Sequence, residues 1–138
     1  MRAYLAHKFY SDGRNRNLVE SIADSLEKEG IETFVMARDF EDWGKNEFSS
    51  SKLMELSFRQ IEDCDFLIVE FSEKGVGLGI ESGYAYAKDK PIFIIAKKDS
   101  EISLTLRGIA NKIIFYNNPE EVGNKIKSEL IDIGVAQK

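Results

Sequence analysis

The stretch from Ser72 to Glu81 carries residues that can take part in chemistry. Gly75, Gly77 and Gly79 alternate along it, and glycines let the backbone approach a ligand closely or turn with positive φ. A helix is predicted to begin here, and the free N–H groups at the start of a helix favour anions. Glu81 falls in the first turn of this predicted helix, where the dipole favours an ionised carboxylate. Such a carboxylate beside a ligand could act as a nucleophile or stabilise an oxocarbenium ion.

The same residues also have an ordinary structural interpretation. Many glutamates near the start of a helix only complement its dipole, and Glu81 could be one of them. The glycines do not form the dinucleotide-binding fingerprint, because Ile80 interrupts the pattern and the loop follows the third predicted strand, not the first. Spacing alone leaves both interpretations of Glu81 open.

The apolar pattern predicts five strands that alternate with helices. Residues 66–71 and 92–96 are nearly continuous apolar runs, which is typical of strands covered on both faces. The alternation predicts an α/β fold with one doubly wound five-stranded parallel sheet, Rossmann-like or flavodoxin-like, in the order 2-1-3-4-5 with helices on both faces. The strands are predicted at residues 4–6, 31–35, 66–71, 91–96 and 112–116.

Two local predictions accompany this sheet. The polar residues 37–51 are predicted to form a loop, in which Trp43 either stacks on a ligand as a lid or anchors the loop to the domain or to a partner subunit. Asn118 is predicted to be the N-cap of the last helix, with Pro119 at its first position and Glu121 closing a capping box.

In such sheets, ligands bind beyond the carboxyl ends of the strands, near the point where the strand order reverses. This rule selects residues 7–9, 70–79 and 97–107, and the loop 37–51 lies on the same rim. His7, the only histidine, could donate to a ligand there. Glu70 is expected to accept a hydrogen bond from the following loop, with ligand contact as the alternative.

Composition limits the class of protein. The chain has 138 residues, 43% apolar and 31% charged, with a net charge of −5, so we expect a single domain over residues 1–138. The acidic balance disfavours binding to polymeric nucleic acid. The longest apolar runs are too short to cross a membrane, and the single Cys64 fits a reducing compartment. We therefore expect a soluble, cytoplasmic protein, and no ligand spacing for a metal is present.

Residues 76–110, VGLGIESGYAYAKDKPIFIIAKKDSEISLTLRGIA, closely resemble the nucleoside 2-deoxyribosyltransferase superfamily, which includes 2′-deoxynucleoside 5′-phosphate N-hydrolases. The pattern G-x-G-x-E-x-G-Y-A is its most specific part. The segments YLAHKFYSDGRNRNLVESIADSLEKEG and RQIEDCDFLIVEF resemble the first strand and helix, and the second helix and third strand, of these proteins. The resemblance extends from Tyr4 to about Tyr116.

The resemblance implies roles for particular residues. Glu81 would attack the anomeric carbon and displace the base, as the carboxylate of a retaining glycosidase does, and Tyr4 would orient it, although a core aromatic at a strand start is the alternative. Ser103 would hold a 5′-phosphate across a dimer interface, with Lys8 and Arg107 nearby, or would be a helix N-cap instead. The Gly75–Gly79 backbone would add donors. A homodimer or larger homo-oligomer is implied, and no cofactor is required.

The chain departs from this family at two positions. Ser57 stands where the family has an aspartate that binds the base and helps to protonate it. Because serine is not a general acid near neutral pH, we expect another residue to protonate the leaving group; the candidates are Asp39, Glu41, Asp42 and Glu55. Gly75 replaces an aspartate of the transferases and a phosphate-binding serine of the N-hydrolases.

Three functions remain to be compared. The leading hypothesis is an enzyme that cleaves or transfers at the N-glycosidic bond of a nucleoside or nucleotide, with hydrolysis of a 5′-monophosphate favoured by Ser103, Lys8 and the absent transferase aspartates. The alternative is a non-catalytic nucleotide-binding or sensing module of the same fold. A receiver-type signalling domain ranks third, because His7, Lys8 and Glu70 stand where that fold needs aspartates.

Overall fold

The computed structural model describes residues 1–135, and the sheet in this part of the chain has five strands that all run in parallel. Their order is 2-1-3-4-5, which confirms the predicted fold class. The strands are β1 (Arg2–His7), β2 (Glu32–Phe34), β3 (Phe66–Glu70), β4 (Ile92–Lys97) and β5 (Lys112–Tyr116).

Six α-helices and two short 3₁₀ helices complete residues 1–135. The α-helices are α1 (Arg16–Lys28), α2 (Met36–Asp39), α3 (Ser50–Asp63), α4 (Val76–Ala87), α5 (Leu104–Arg107) and α6 (Val122–Asp132). The 3₁₀ helices are Asp42–Gly44 and Pro119–Glu121.

Helices cover both faces of the sheet, because successive side chains of a strand point to opposite faces. Ala3 and Leu5 of β1 pack in a cluster with α1 and α6, whereas Tyr4 and Ala6 pack in a cluster with α3 and α4. Every residue of β3 is therefore buried. This is the physical origin of its continuous apolar sequence.

Helices α1 and α6 approach each other closely at Gly123. A Cβ atom added at this position would lie 2.0 Å from the backbone oxygen of Ser25. The Gly123 N–H donates a hydrogen bond to the Ser25 hydroxyl oxygen (3.0 Å), and that hydroxyl donates to the carbonyl of Ile22 (2.8 Å). The two helices are thus joined where only glycine leaves enough room.

The prediction of a loop over residues 37–51 is wrong for much of its length. Most of α2 and the 3₁₀ helix Asp42–Gly44 lie within it. The Asp39 carboxylate accepts a hydrogen bond from the N–H of Val35 (2.9 Å), the N-cap residue of α2. This bond stabilises a short helix that has no apolar periodicity of its own.

The predicted start of the last helix is right in position but wrong in type, because Asn118 and Pro119 occupy the N-cap and first positions of a 3₁₀ helix that leads directly into α6. The Asn118 side chain caps nothing, and Pro119–Glu121 forms a 3₁₀ helix before α6 begins at Val122. The Glu121 carboxylate accepts from the N–H of Asn117 (3.3 Å) and does not close a capping box with Asn118. Proline at the first position is compatible with either kind of helix, so the sequence did not distinguish them.

The strand order reverses between β1 and β3, and their carboxyl ends lie side by side, with His7 paired in register with Glu70. The segments that follow β1, β2 and β3 all leave the sheet at this rim. The rim is where the topology predicts a ligand.

Candidate active site

A cavity of about 410 Å³ lies at this rim, a volume that suits a small-molecule ligand. One wall is β1 with the residues after it, and another is the start of α4. The rest comes from α2, α3 and the residue at position 41. The side chains in this lining that bear hydroxyl, imidazole, amino or carboxyl groups are those of Tyr4, His7, Lys8, Glu41, Ser57 and Glu81.

Glu81 and Tyr4 meet in the wall of this cavity. The Tyr4 phenol donates a hydrogen bond to a carboxylate oxygen of Glu81, which joins α4 to β1. The Tyr4 ring is 1% exposed and packs against Phe34, with 5.3 Å between the ring centroids. Tyr4 is therefore a core aromatic whose hydroxyl also holds the Glu81 carboxylate in place.

The expectation that the helix dipole keeps Glu81 ionised is wrong. Because α4 begins at Val76, Glu81 is its sixth residue and lies beyond the first turn, where the dipole acts. Burial instead raises the pKa of Glu81 to about 7, although the hydrogen bond from Tyr4 opposes this change. At neutral pH the carboxyl group is a mixture of its acid and carboxylate forms.

The raised pKa of Glu81 predicts a pH-dependent stability. The pKa is 4.5 without the fold and about 7 within it, so the contribution of Glu81 to the free energy of unfolding decreases as pH rises through this interval. Glu81→Gln keeps an acceptor for Tyr4 and removes the titration. We expect this variant to exceed the wild type by roughly 1–3 kcal/mol at about pH 8 and to match it at about pH 4.

Urea unfolding followed by circular dichroism at both pH values measures this difference. A gain in stability of the same size at both pH values would contradict the assignment to a buried carboxyl group.

His7 and Lys8 line the same cavity at the end of β1. Burial lowers the pKa of His7, so its imidazole is neutral near pH 7. The Nδ1 atom lies 3.0 Å from the carbonyl oxygen of Lys8, which can only accept, and 3.4 Å from the Asn15 amide nitrogen, which can only donate. The shorter contact favours a proton on Nδ1. The Lys8 ammonium lies 3.6 Å from Glu73 and 5.3 Å from the ring centroid of Tyr10.

The amino end of α4 faces the cavity through Gly75 and Gly77. Gly75 is the N-cap residue, and no side chain within the described residues caps this helix. Its first backbone N–H groups are therefore available to an anionic group.

Gly79 and Ser103 lie outside this cavity. They line a second groove of about 780 Å³, which shares Gly75 and Val76 with the first cavity. Ser103 occupies the N-cap position of α5, but its hydroxyl contacts that of Thr105 (2.9 Å) and caps no backbone group. Within one chain, therefore, Ser103 does not reach the cavity that holds Glu81.

Arg107 lines neither the cavity that holds Glu81 nor the second groove. Its guanidinium donates to the carbonyl of Ile102 over 3.4 Å. The predicted grouping of Ser103, Lys8 and Arg107 is thus not assembled within a single chain, because α5 lies next to the second groove.

Ser57 is buried in the cavity wall, 4% exposed, at the place where the resemblance predicts an aspartate. Of the four acidic residues considered as replacements, only Glu41 lines the cavity. The other three, Asp39, Asp42 and Glu55, form hydrogen bonds or ion pairs outside it.

An apolar wall of the cavity was missed by the sequence analysis. Met36 and Ala37 of α2, and Leu53 and Met54 of α3, form it. Residues 53 and 54 precede Ser57 by about one turn on the same helix, so they lie on neighbouring positions of its surface. That spacing is the signal that could have identified them.

Trp43 anchors the segment that follows β2. It packs partly buried against the cluster containing α1, and the Arg16 guanidinium lies 4.9 Å from its ring centroid. Of the alternatives left open for Trp43, this packing corresponds to anchoring to the domain, and the ring lies outside the cavity lining.

Within residues 1–135, no group of three or more His, Cys, Asp or Glu side chains is arranged to hold a metal ion. None of the helices in this part of the chain is long and apolar enough to span a membrane. Cys64 is buried, and burial raises the pKa of its thiol to about 11, so it packs as a small apolar side chain.

Comparisons with known proteins extend these observations. The family model for nucleoside 2-deoxyribosyltransferases matches residues 3–132. A protein of Thermofilum pendens named as a 2′-deoxynucleoside 5′-phosphate N-hydrolase is 27% identical over an alignment of 137 residues that covers 94% of this chain and 95% of the relative.

Two solved structures share the fold. A CMP N-glycosidase of Clostridium botulinum matches with a TM-score of 0.68 and 23% identity, over 94% of this chain and 100% of that chain. A 2-deoxyribosyltransferase of Bacillus psychrosaccharolyticus matches with a TM-score of 0.67 and 18% identity, over 90% of this chain and 91% of that chain.

Proposed function

Since the chain belongs to the nucleoside 2-deoxyribosyltransferase family, we propose that it hydrolyses the N-glycosidic bond of a nucleoside 5′-monophosphate through a covalent intermediate on Glu81. The family cleaves or transfers at the N-glycosidic bonds of nucleosides and nucleotides. The observation that carries the proposal is the hydrogen bond from the buried Tyr4 to Glu81 in the cavity wall.

The reaction begins with attack of the Glu81 carboxylate on C1′ of the sugar. The C1′–N bond breaks, its electron pair leaves with the base, and an ester links the sugar to Glu81. Water then attacks C1′ and releases the carboxylate. Burial and the contact with Glu81 raise the pKa of Tyr4, so the phenol stays protonated and continues to orient the carboxylate.

Hydrolysis of a nucleotide is favoured over base exchange for two reasons. The free N–H groups at the start of α4, beside Gly75 and Gly77, suit a phosphate, and Lys8 adds a positive charge. The Thermofilum relative is also named for action on a 5′-phosphate.

A homo-oligomer would bring Ser103 to such a phosphate. Ser103 lines a groove beside the cavity, so it would serve the site of a second copy. The groove is bordered by Val76, 84% exposed, and Leu104, 85% exposed. Contact with another subunit would remove these apolar side chains from water.

The alternative is a nucleotide-binding module without turnover. Ser57 in place of the family's acidic residue favours it, because a cavity that keeps its shape but lacks a proton donor could still bind nucleotides. It predicts tight binding by calorimetry without release of base.

A panel of ribo- and deoxyribonucleosides and their 5′-monophosphates tests both functions. The proposed hydrolase releases free base, measured by liquid chromatography, from at least one monophosphate and more slowly from the matching nucleoside. No release from any member of the panel would contradict the proposal, and calorimetry on the same panel would then identify a binding module.

Tyr4→Phe should shift the pH dependence of base release. The hydrogen bond from Tyr4 lowers the pKa of Glu81, so its removal raises that pKa further above about 7 and leaves less carboxylate at neutral pH. We expect the acidic limb of kcat/KM to move to higher pH, with a rate about 10- to 100-fold lower at neutral pH. Phe40→Leu, which changes an aromatic ring packed nearby on Phe34, is the control and should leave that limb in place.

A further inference from the structure

The proposed reaction needs a proton for the departing base, and Ser57 cannot supply it. We propose that Glu41, from the segment after β2, is the general acid that protonates the leaving base and the general base that then activates water. This inference rests on the proposed function, because it assigns the second carboxyl group of the same cavity.

Glu41 and Glu81 line the same cavity from different walls. Glu81 belongs to α4, whereas Glu41 follows α2. A sugar ring with its C1′ at Glu81 would therefore have its base within the remaining space, which Glu41 borders. Retaining glycosidases use the same division between two carboxyl groups on opposite sides of the scissile bond.

Backbone hydrogen bonds hold the main chain at Glu41, which fixes the point from which its side chain extends. The Glu41 N–H donates to the carbonyl of Met36 (3.1 Å), and the Glu41 carbonyl accepts from the N–H groups of Gly44 (3.0 Å) and Asn46 (2.9 Å). The next two residues, Asp42 and Trp43, have φ of 46° and 54°. Left-handed backbone at such residues costs energy and tends to occur at functional sites.

The Glu41 carboxyl group forms no hydrogen bond or ion pair with any residue in the described range 1–135. Partial burial without a compensating cation raises its pKa, which increases the fraction that holds a proton near neutral pH. A group that donates a proton to the base must be free of other partners and must hold a proton near neutral pH.

The proton balance closes over the two steps. In the first, Glu81 bonds to C1′, the C1′–N electron pair moves to the base, and the Glu41 proton joins the base. In the second, the Glu41 carboxylate takes a proton from water while the water oxygen bonds to C1′ and the ester bond to Glu81 breaks. The products are the free base and the sugar phosphate, and both carboxyl groups return to their starting forms.

This assignment predicts a pH profile with two limbs. Base release requires ionised Glu81 and protonated Glu41, so its rate follows the product of these two fractions and decreases at both low and high pH. The other titratable or charged groups are Tyr4, His7 and Lys8 around the cavity, and Arg38, Asp39, Asp42, Lys45 and Glu47 on the Glu41 segment. Of these, His7 is neutral and the pKa of Tyr4 is raised, so neither supplies the alkaline limb.

Glu41→Gln tests the inference with two substrates. One is the monophosphate that the wild type cleaves fastest, and the other is the 4-nitrophenyl glycoside of the same sugar 5-phosphate, whose nitrophenolate leaves without a proton. We expect a loss of at least about 100-fold on the natural substrate and a loss of less than about 5-fold in the nitrophenolate burst, which reports the first step alone. The alkaline limb should disappear.

Asp42→Asn is the matched control, since it removes one carboxylate from the next residue of the same segment, and Asn accepts the left-handed backbone. It should retain wild-type rates on both substrates. Equal losses on both substrates by Glu41→Gln, or an unchanged alkaline limb, would overturn the inference. If the wild type does not cleave the nitrophenyl compound, the alkaline limb decides alone. Failure of the proposed function is distinct, because then the wild type itself releases no base.

Discussion

Glu81→Gln is expected to reduce the release of base by at least about 1,000-fold at neutral pH. An amide is a poor nucleophile and cannot form the ester with C1′, although it still accepts the hydrogen bond from Tyr4. Because the variant is expected to be at least as stable as the wild type, loss of folding would not explain the loss of activity. Liquid chromatography of the released base under single-turnover conditions measures the first step.

Two further variants make this result specific. Glu120→Gln neutralises an exposed carboxylate on the 3₁₀ helix before α6 and should keep the wild-type rate. Glu81→Ala leaves a space beside Tyr4, and sodium azide should restore cleavage of the C1′–N bond by taking the place of the carboxylate. Wild-type activity in Glu81→Gln would rule out Glu81 as the nucleophile.

Gly123→Ala is expected to destabilise the fold by roughly 2–4 kcal/mol. The added methyl group would lie 2.0 Å from the Ser25 backbone oxygen, so α1 and α6 would have to separate. Separation would also lengthen the hydrogen bond from the Gly123 N–H to the Ser25 hydroxyl. Urea unfolding monitored by circular dichroism measures the change.

Asn124→Ala is the control for Gly123→Ala. This residue is the next one on α6 and is exposed, so alanine there should stabilise the helix by up to about 0.5 kcal/mol. A cost below about 0.5 kcal/mol for Gly123→Ala would mean that the two helices tolerate the added methyl group and that their close approach contributes little to stability.

The sheet could be predicted because its strands differ from the rest of the chain in a simple property. Burial on both faces requires apolar residues at successive positions, and residues 66–69 of β3 and 92–96 of β4 satisfy this requirement. The carboxylate hydrogen bonds of Glu70 were also predictable, since Ser72 follows two residues later and donates from both its N–H (2.8 Å) and its hydroxyl (2.9 Å).

The segment after β2 could not be predicted by the same means. Its helices depend on the Asp39 carboxylate bond to Val35 and on left-handed backbone at Asp42 and Trp43. Tertiary packing of Trp43 against α1 fixes these conformations, and local sequence does not encode that contact.

The candidate site, too, could be predicted from the sequence only in part. The sequence and its resemblance to a family selected Glu81 and Tyr4, which the structure brings together. The pKa of Glu81 is raised because residues distant in the sequence bury it. Its predicted position in the first turn of a helix had instead indicated a lowered pKa. Four acidic residues were equivalent in the sequence, and only their positions in space distinguish Glu41 from the others.

The interior position of β1 has a consequence for how activity is acquired during folding. Ala3 pairs with Phe66, 63 positions later, and the bond between Tyr4 and Glu81 closes a loop of 77 residues. Contacts of such long sequence separation form late, because chain entropy opposes them until the intervening elements are in place. Recovery of base release after dilution from denaturant should therefore follow the slowest folding phase, and a collapsed intermediate without the β1–β3 pairing would be inactive.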